Sequence, residues 1–272
     1  MTVAPAPEGS PPNGPVVPPP GPDAPDAYIA TLGHLPVAAV FAAAGAGLMA
    51  AIFQLGAAPP IAALALFVLL AVLVVGTTPL PRGGLGAGSR VTLARIVLVC
   101  LIGSVVAVPP PAIGDDLLWA LVPIAAVAAL LDAVDGKVAR ATGTVSPFGA
   151  RLDMEADALF ILILSVLLWR IDKAGVWVIA IGAMRYAFLA AMLVVPALRG
   201  ALPSSRRRQT VCVVQVVALI IGLAPAVPPL ATAALAGAAL ALLAWSFAVD
   251  TGWLLRHGAP APATPHKPGE SP

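Results

Sequence analysis

The sequence predicts an all-α integral membrane protein, with a working core of six membrane helices preceded by two accessory ones. Three observations carry this. Of the 272 residues, 60% are hydrophobic and only 10% charged, whereas a soluble domain carries about 25% charged residues. The mean hydropathy is +0.97. The apolar residues also collect into eight runs parted by short polar turns, and a helix crosses a bilayer with roughly 20 mainly apolar residues.

In chain order, residues 1–30 are rich in Pro, Gly and Ala and hold no Lys or Arg. That composition excludes a secretory signal peptide and predicts a disordered cytoplasmic tail. Runs at Leu35–Leu55 and Pro60–Val75 contain no ionisable residue and form an accessory hairpin within 31–80. The membrane domain, 81–256, takes the other six: Val91–Val108, Leu117–Val134, Ala156–Trp169, Val176–Leu198, Val211–Pro225 and Leu230–Leu254. Pro225, Pro228 and Pro229 end the seventh run and make the next turn. Residues 257–272 are again Pro-rich and form a second disordered tail. Cys100 and Cys212 lie within apolar runs, so both are packing residues and no disulfide is expected. His34, His257 and His266 are far apart and make no metal-ligand pattern. No repeat of 20–50 residues is visible.

Basic residues favour the cytoplasmic side of a membrane. With both termini inside, the inner connections hold Arg82, Arg90, Lys137, Arg140, Arg151, Arg199, Arg206, Arg207 and Arg208, and the outer ones only Arg170 and Lys173. Trp119, Trp169 and Trp177 then fall at the outer interface and Trp253 at the inner one, where indoles are favoured. The expected location is the cell membrane. No nucleic-acid partner is expected.

One stretch breaks the avoidance of charge: "LLDAVDGKVARATGTVSPFGARLDMEADALF". Asp132 and Asp135 are three residues apart and Asp153 and Asp157 four apart, so each pair shares a helix face. The first pair closes the fourth run and the second opens the fifth, so an antiparallel hairpin brings all four together. Four such anions repel one another or take up protons unless a cation joins them. Oxygen-only ligands suit Mg²⁺ or Mn²⁺, and two ions fit between the pairs. Gly136 and Gly149 leave room for a ligand to approach the backbone, and Lys137, Arg140 and Arg151 add cations beside the acids. Acids for metal next to cations for phosphate suit a pyrophosphate substrate. For Lys137 and Arg151 singly, an ordinary place in a basic cytoplasmic connection is equally open.

The same stretch resembles the signature of the CDP-alcohol phosphotransferase (CDP-alcohol phosphatidyltransferase) family, D-x2-D-G-x2-A-R-x8-G-x3-D-x3-D. It matches at Asp132, Asp135, Gly136, Ala139, Arg140, Gly149, Asp153 and Asp157. The resemblance implies a six-helix core, a homodimer, and an enzyme in which an alcohol displaces CMP from a CDP-linked lipid. By position, Asp132, Asp135, Asp153 and Asp157 would hold two metal ions, and Asp157 would also take the proton of the acceptor hydroxyl. Gly136, Ala139, Arg140 and Gly149 would line the CDP site. "GSRVTLAR" is similar to the family's P-N-x-x-T-x-x-R segment and adds Thr92 and Arg95 to the donor site, with Gly88 and Ser89 in place of the Pro and Asn. Arg185 stands where the family has an arginine followed by Glu in glycerol-phosphate enzymes; here Tyr186 follows. "SSRRRQTVCVVQ" keeps the basic character of a G-K-x-K-T-x-x-Q run without its spacing.

The function expected is a membrane phospholipid synthase moving a phosphatidyl group from CDP-diacylglycerol to an alcohol, with CMP released. Arg185 lies inside a run, where an arginine needs a ligand or an acidic partner. It is therefore a candidate for an anionic acceptor, the other reading being an ion pair with one of the aspartates. Arg206, Arg207 and Arg208 either gather the acceptor or touch the lipid surface. An inositol-phosphate or second-lipid acceptor stands beside glycerol 3-phosphate. An intramembrane prenyltransferase needs a second Asp-rich motif, which this chain lacks. A non-catalytic scaffold or CDP-lipid-binding protein has no use for four converging carboxylates.

Overall fold

The structure is a computed structural model that describes residues 25–81, 84–200 and 205–257. The expected tails at 1–24 and 258–272, and Arg82, lie outside the described residues. Eight α-helices are present among those described: α1 (Pro25–Phe53), α2 (Ala58–Thr77), α3 (Ala87–Ser104), α4 (Asp115–Ala141), α5 (Pro147–Arg170), α6 (Ile179–Val194), α7 (Arg206–Leu223) and α8 (Pro229–His257). The protein is an all-α membrane protein, with each helix close to one of the apolar runs. Two tail boundaries differ from the expectation. α1 takes in residues 25–30, where Pro25 tolerates a first-turn position and Ala27, Tyr28, Ile29 and Ala30 carry the helix on. α8 likewise runs on through His257.

Among the described residues, six helical stretches are long and apolar enough to cross a membrane, in α1, α2, α3, α4, α8 and Val176–Val194, against eight expected from sequence. α5 and α7 fall short in composition because ionisable residues crowd their first turns. Much of α5 is nevertheless hidden inside the protein, with Phe160, Ile163, Leu164, Leu167 and Leu168 all buried. Of the charges at its start, Glu155 is buried, while Arg151, Asp153 and Asp157 are half-buried.

α3 is the central element: it packs on α1 and α2 on one side and on α4 and α5 on the other. Ala38, Ala42 and Ala46 recur every four residues on the buried face of α1 and let it approach closely. Beyond α5 the bundle is completed by α6, α7 and α8. At the α5–α6 crossing, a Cβ on Gly182 would lie 2.3 Å from Leu162 Cα, so only glycine permits this approach. Large apolar side chains such as Leu69, Val72, Leu130 and Trp245 face outward, as a lipid-facing belt requires. Cys100 and Cys212 are both free thiols.

The turn between α4 and α5 decides where the acids go. α4 runs through Asp132 and Asp135 to Ala141, well past the end of its apolar run. It stops in a Schellman turn: Thr144 N–H donates to Ala139 O (3.0 Å) and Gly143, at φ +64°, donates to Arg140 O (3.4 Å). Three residues later Ser146 caps α5, its hydroxyl accepting from Gly149 N–H at 3.0 Å, and Pro147 occupies the first helical position. The chain therefore reverses within a few residues, and the two acid pairs face each other. At the far end of α5, Arg170 Nη2 donates to Val108 O (2.7 Å) and Lys173 Nζ to Ala224 O, so the two cations of the opposite face serve to tie helix ends together.

Candidate active site

Asp132, Asp135 and Asp153 each present a carboxylate oxygen within 4.8 Å of the others. Asp157 joins them through Arg95. The Arg95 guanidinium, 1% exposed, donates through Nη1 to Asp157 Oδ1 (2.7 Å) and to Asp132 Oδ1, and through Nη2 to Asp153 Oδ1. Asp135 Oδ2 lies 3.6 Å from Nη2 and also accepts from Thr92 Oγ1 at 3.0 Å. Four carboxylates around one guanidinium leave a formal excess of negative charge, which is the condition a divalent cation relieves. The donor set is all oxygen and closely grouped, so these residues fit Mg²⁺ or Mn²⁺.

Two cavities open on either side of this cluster. The first, about 270 Å³, has Gly88, Ser89, Thr92, Gly136, Ala139, Arg140, Ser146 and Gly149 in its wall, with Asp135 and Asp153 at one edge. Every residue that the signature assigns to the CDP donor is therefore here, together with Thr92. Arg95 is not. The resemblance implies a place beside Thr92 in the donor site, but the Arg95 guanidinium lies among the aspartates, whose counter-charge a buried cation needs. Arg140 lies over Gly136, where a Cβ would come within 3.3 Å of its Nη1. Gly149 has a different reason from open ligand space: a Cβ there would lie 2.7 Å from Ser89 Oγ, so the glycine lets α5 close on α3. Gly88 does the same for α3 against α4, where a Cβ would lie 2.6 Å from Ala139 Cβ. Gly88 and the short Ser89 side chain thus permit close packing of α3 against α4 and α5.

The second cavity, about 510 Å³, lies among α5, α6, α7 and α8. Asp157, Arg185, Arg208, Gln215 and Asp250 contribute its polar groups, and Ile161, Ile181, Phe188, Leu243 and Phe247 much of its apolar wall. Arg185 does find an acidic partner, though not an aspartate. Its Nη2 donates to Glu155 Oε1 at 2.9 Å, and Arg151 Nη2 lies 3.1 Å from the same oxygen. Glu155 is only 1% exposed. Of the three arginines that open α7, Arg207 is bound by Asp250 and by Ser246 O (3.1 Å) and stacks over Trp245. Arg208 lies 3.4 Å from Asp250 and lines the cavity, whereas Arg206 is exposed and lines neither cavity. Three cations at a helix N-terminus oppose its dipole, and Asp250, reaching over from α8, offsets that.

Sequence reasoning missed Glu155 and Asp250. Asp250 was detectable as a lone acid deep in an apolar run, since such a residue implies a partner. Glu155 stood between two signature aspartates, and no spacing rule separated it from them.

The family model for CDP-alcohol phosphatidyltransferase matches residues 87–249, more than half of the chain. The chain belongs to the CDP-alcohol phosphatidyltransferase family. Neither a curated protein nor a solved structure matches it. The matched segment begins at the first residue of α3 and takes in both acid pairs, both cavities' polar walls up to Phe247, and most of α8. α1 and α2 precede it. Family membership makes the protein a membrane-bound transferase of substituted phosphate groups, acting in phospholipid synthesis.

Proposed function

We propose that the protein transfers a phosphatidyl group from CDP-diacylglycerol to the hydroxyl of an anionic acceptor, releasing CMP. The observation that carries this reading is the placement of the acid cluster between two cavities, with Asp135 and Asp153 at the edge of one and Asp157 in the wall of the other. A donor held on one side and an acceptor on the other meet at the carboxylates. Asp132, Asp135, Asp153 and Asp157 would hold two Mg²⁺ or Mn²⁺ ions, which supply charge neutralisation at the pyrophosphate and at the departing CMP.

The chain's own residues do the rest. Gly136, Ala139 and Gly149 shape the donor cavity, and Arg140 meets the pyrophosphate oxygens with its planar guanidinium. The acceptor enters the larger cavity, where Arg185 and Arg208 receive its anionic group. Its hydroxyl oxygen bonds to the phosphorus beside the lipid, the bond from that phosphorus to the CMP oxygen breaks, and the hydroxyl proton passes to Asp157. Arg95, packed among the acids, fixes their relative positions. The apolar wall of the larger cavity favours a second reading of the acceptor, as a lipid that itself carries an anionic headgroup.

The basic residues at the acid-cluster end, Arg90, Lys137, Arg140, Arg151 and Arg206–Arg208, support an active site facing the cytoplasm with both termini on that side. We place the enzyme in the cell membrane as a homodimer. The test is to supply purified protein with CDP-diacylglycerol, Mg²⁺ and a panel of acceptors: glycerol 3-phosphate, inositol phosphate, uncharged alcohols and anionic lipids. CMP release is expected with a phosphate-bearing or anionic-lipid acceptor, and Arg185→Ala should raise the KM for that acceptor while leaving the donor KM unchanged. Donor binding without CMP release from any acceptor would make the protein a CDP-lipid-binding scaffold instead.

A further inference from the structure

A third cavity, about 310 Å³, lies outside the reaction site between the accessory helix α1 and the back of α3. Its lining has a regular pattern. α1 contributes His34, Val37, Ala38 and Phe41, and α3 contributes Arg90, Leu93, Ala94 and Val97. Both sets follow the spacing i, i+3, i+4, i+7, so each is a single helix face, and each begins with a basic or titratable residue and continues with apolar ones. α1 and α3 are separated by one intervening helix of the bundle, so they run in the same direction and their polar ends lie together. Ala38 and Leu93 are buried and form the floor, while Val37 (55% exposed) and Phe41 (65% exposed) form a wall. Arg90 is exposed, and its Nε donates to Leu85 O at 3.1 Å, which holds the guanidinium at the mouth.

We infer that this groove binds one anionic phospholipid of the cytoplasmic leaflet, its phosphate on Arg90 and one acyl chain lying between α1 and α3. The occupant follows from the order of the lining. A peptide or a second helix would meet an apolar strip from end to end, whereas a cation at the interfacial end and about 10 Å of apolar face beyond it match a phosphate with a hydrocarbon chain. With the cytoplasmic orientation proposed above, Arg90 stands in the first turn of the membrane-crossing helix α3, and basic pockets between membrane helices on that side suit such headgroups. The site has one wall outside the family-matched segment, which begins at residue 87. It therefore assigns a role to the accessory hairpin: α1 builds a lipid seat against the face of α3 opposite the aspartates.

The full-length protein, purified in detergent with equal amounts of phosphatidylglycerol and phosphatidylcholine of the same acyl chains, should retain one phosphatidylglycerol in native mass spectra. The expected preference is about fivefold, what one basic residue contributes at an anionic surface. Arg90→Gln should abolish the preference, and Ala94→Trp, which fills the groove, should remove the retained lipid whatever its headgroup. Equal retention of the two lipids by the unaltered protein, or retention unchanged in both variants, overturns the proposal. Loss of a dimer mass in Ala94→Trp with lipid retention unchanged assigns the groove to a second copy of the chain. Displacement of the retained lipid by CDP-diacylglycerol assigns it to the donor's own acyl chain; either result refutes a separate lipid site. Should a variant aggregate, a phosphatidylglycerol with a mid-chain diazirine decides on the unaltered protein, with label expected in residues 37–41 and 93–97 and label elsewhere counting against the site.

Discussion

Glu155→Gln isolates the group that holds two arginines beside the acceptor cavity. In the folded protein one buried carboxylate oxygen serves Arg185 at 2.9 Å and Arg151 at 3.1 Å. Two unit charges about 4 Å apart interact by about 4 kcal/mol at an effective dielectric near 20, so two such pairs set a generous upper limit. Two effects reduce it. The arginine side chains keep 27% and 29% of their surface, through which water screens the guanidiniums left behind, and the amide oxygen of Gln remains an acceptor for one of them. A net loss of about 2–4 kcal/mol in stability is therefore expected. Thermal unfolding of the purified protein in detergent measures it, alongside steady-state kinetics. Arg185 also loses its fixed position, so the acceptor KM should rise by about tenfold to a hundredfold, the equivalent of about 1.4–2.8 kcal/mol, with the donor KM unchanged. Adding Arg151→Gln to Glu155→Gln removes one uncompensated cation and should recover part of the lost stability. If Glu155→Gln leaves both the melting temperature and the acceptor KM at their original values, the carboxylate does not hold the arginines and the reasoning fails.

The other predictions concern the acids and one helix crossing. Asp132→Asn, Asp135→Asn and Asp153→Asn should each abolish CMP release by weakening Mg²⁺ binding, read by titration calorimetry; near-normal turnover at low Mg²⁺ removes that residue from the metal site. Asp157→Asn should leave donor and metal binding largely intact, the other three aspartates remaining, and lower kcat by about 10²-fold or more; loss of metal affinity with recovery in excess Mn²⁺ would make Asp157 mainly a ligand. Gly182→Val should destabilise by about 1–3 kcal/mol, because the new Cβ meets the backbone of α5 rather than a movable side chain. Gly252→Ala, with nothing within 4 Å of the new Cβ, is the contrasting case inside α8 and should stabilise by about 0.5–1 kcal/mol, the helix-propensity gain of Ala over Gly.

The sequence by itself determined the helical membrane class and the acid pairs, since both rest on local regularities. Apolar runs near bilayer length report a solvent, not a partner, and α1 to α8 follow them closely. The three- and four-residue spacing of the aspartates assigns each pair to one helix face whatever surrounds it. Where the helices turn their other faces was decided only by tertiary packing. Arg95 was legible as part of a segment that includes Thr92, and the two share one face of α3; the short Thr92 side chain stays at Asp135 and the donor cavity, whereas the longer Arg95, one turn further along, ends among the aspartates. Glu155 is two residues from each of two signature aspartates and so points away from their face, toward α6, where Arg185 arrives from a helix distant in sequence. Asp250 acquires its meaning only from the arginines that α7 brings against α8. A buried charge is tolerated only beside its counter-charge, and which residues become neighbours depends on helix rotation and close approach at Gly88, Gly149 and Gly182. Those are long-range properties of the packed bundle, and no local spacing encodes them.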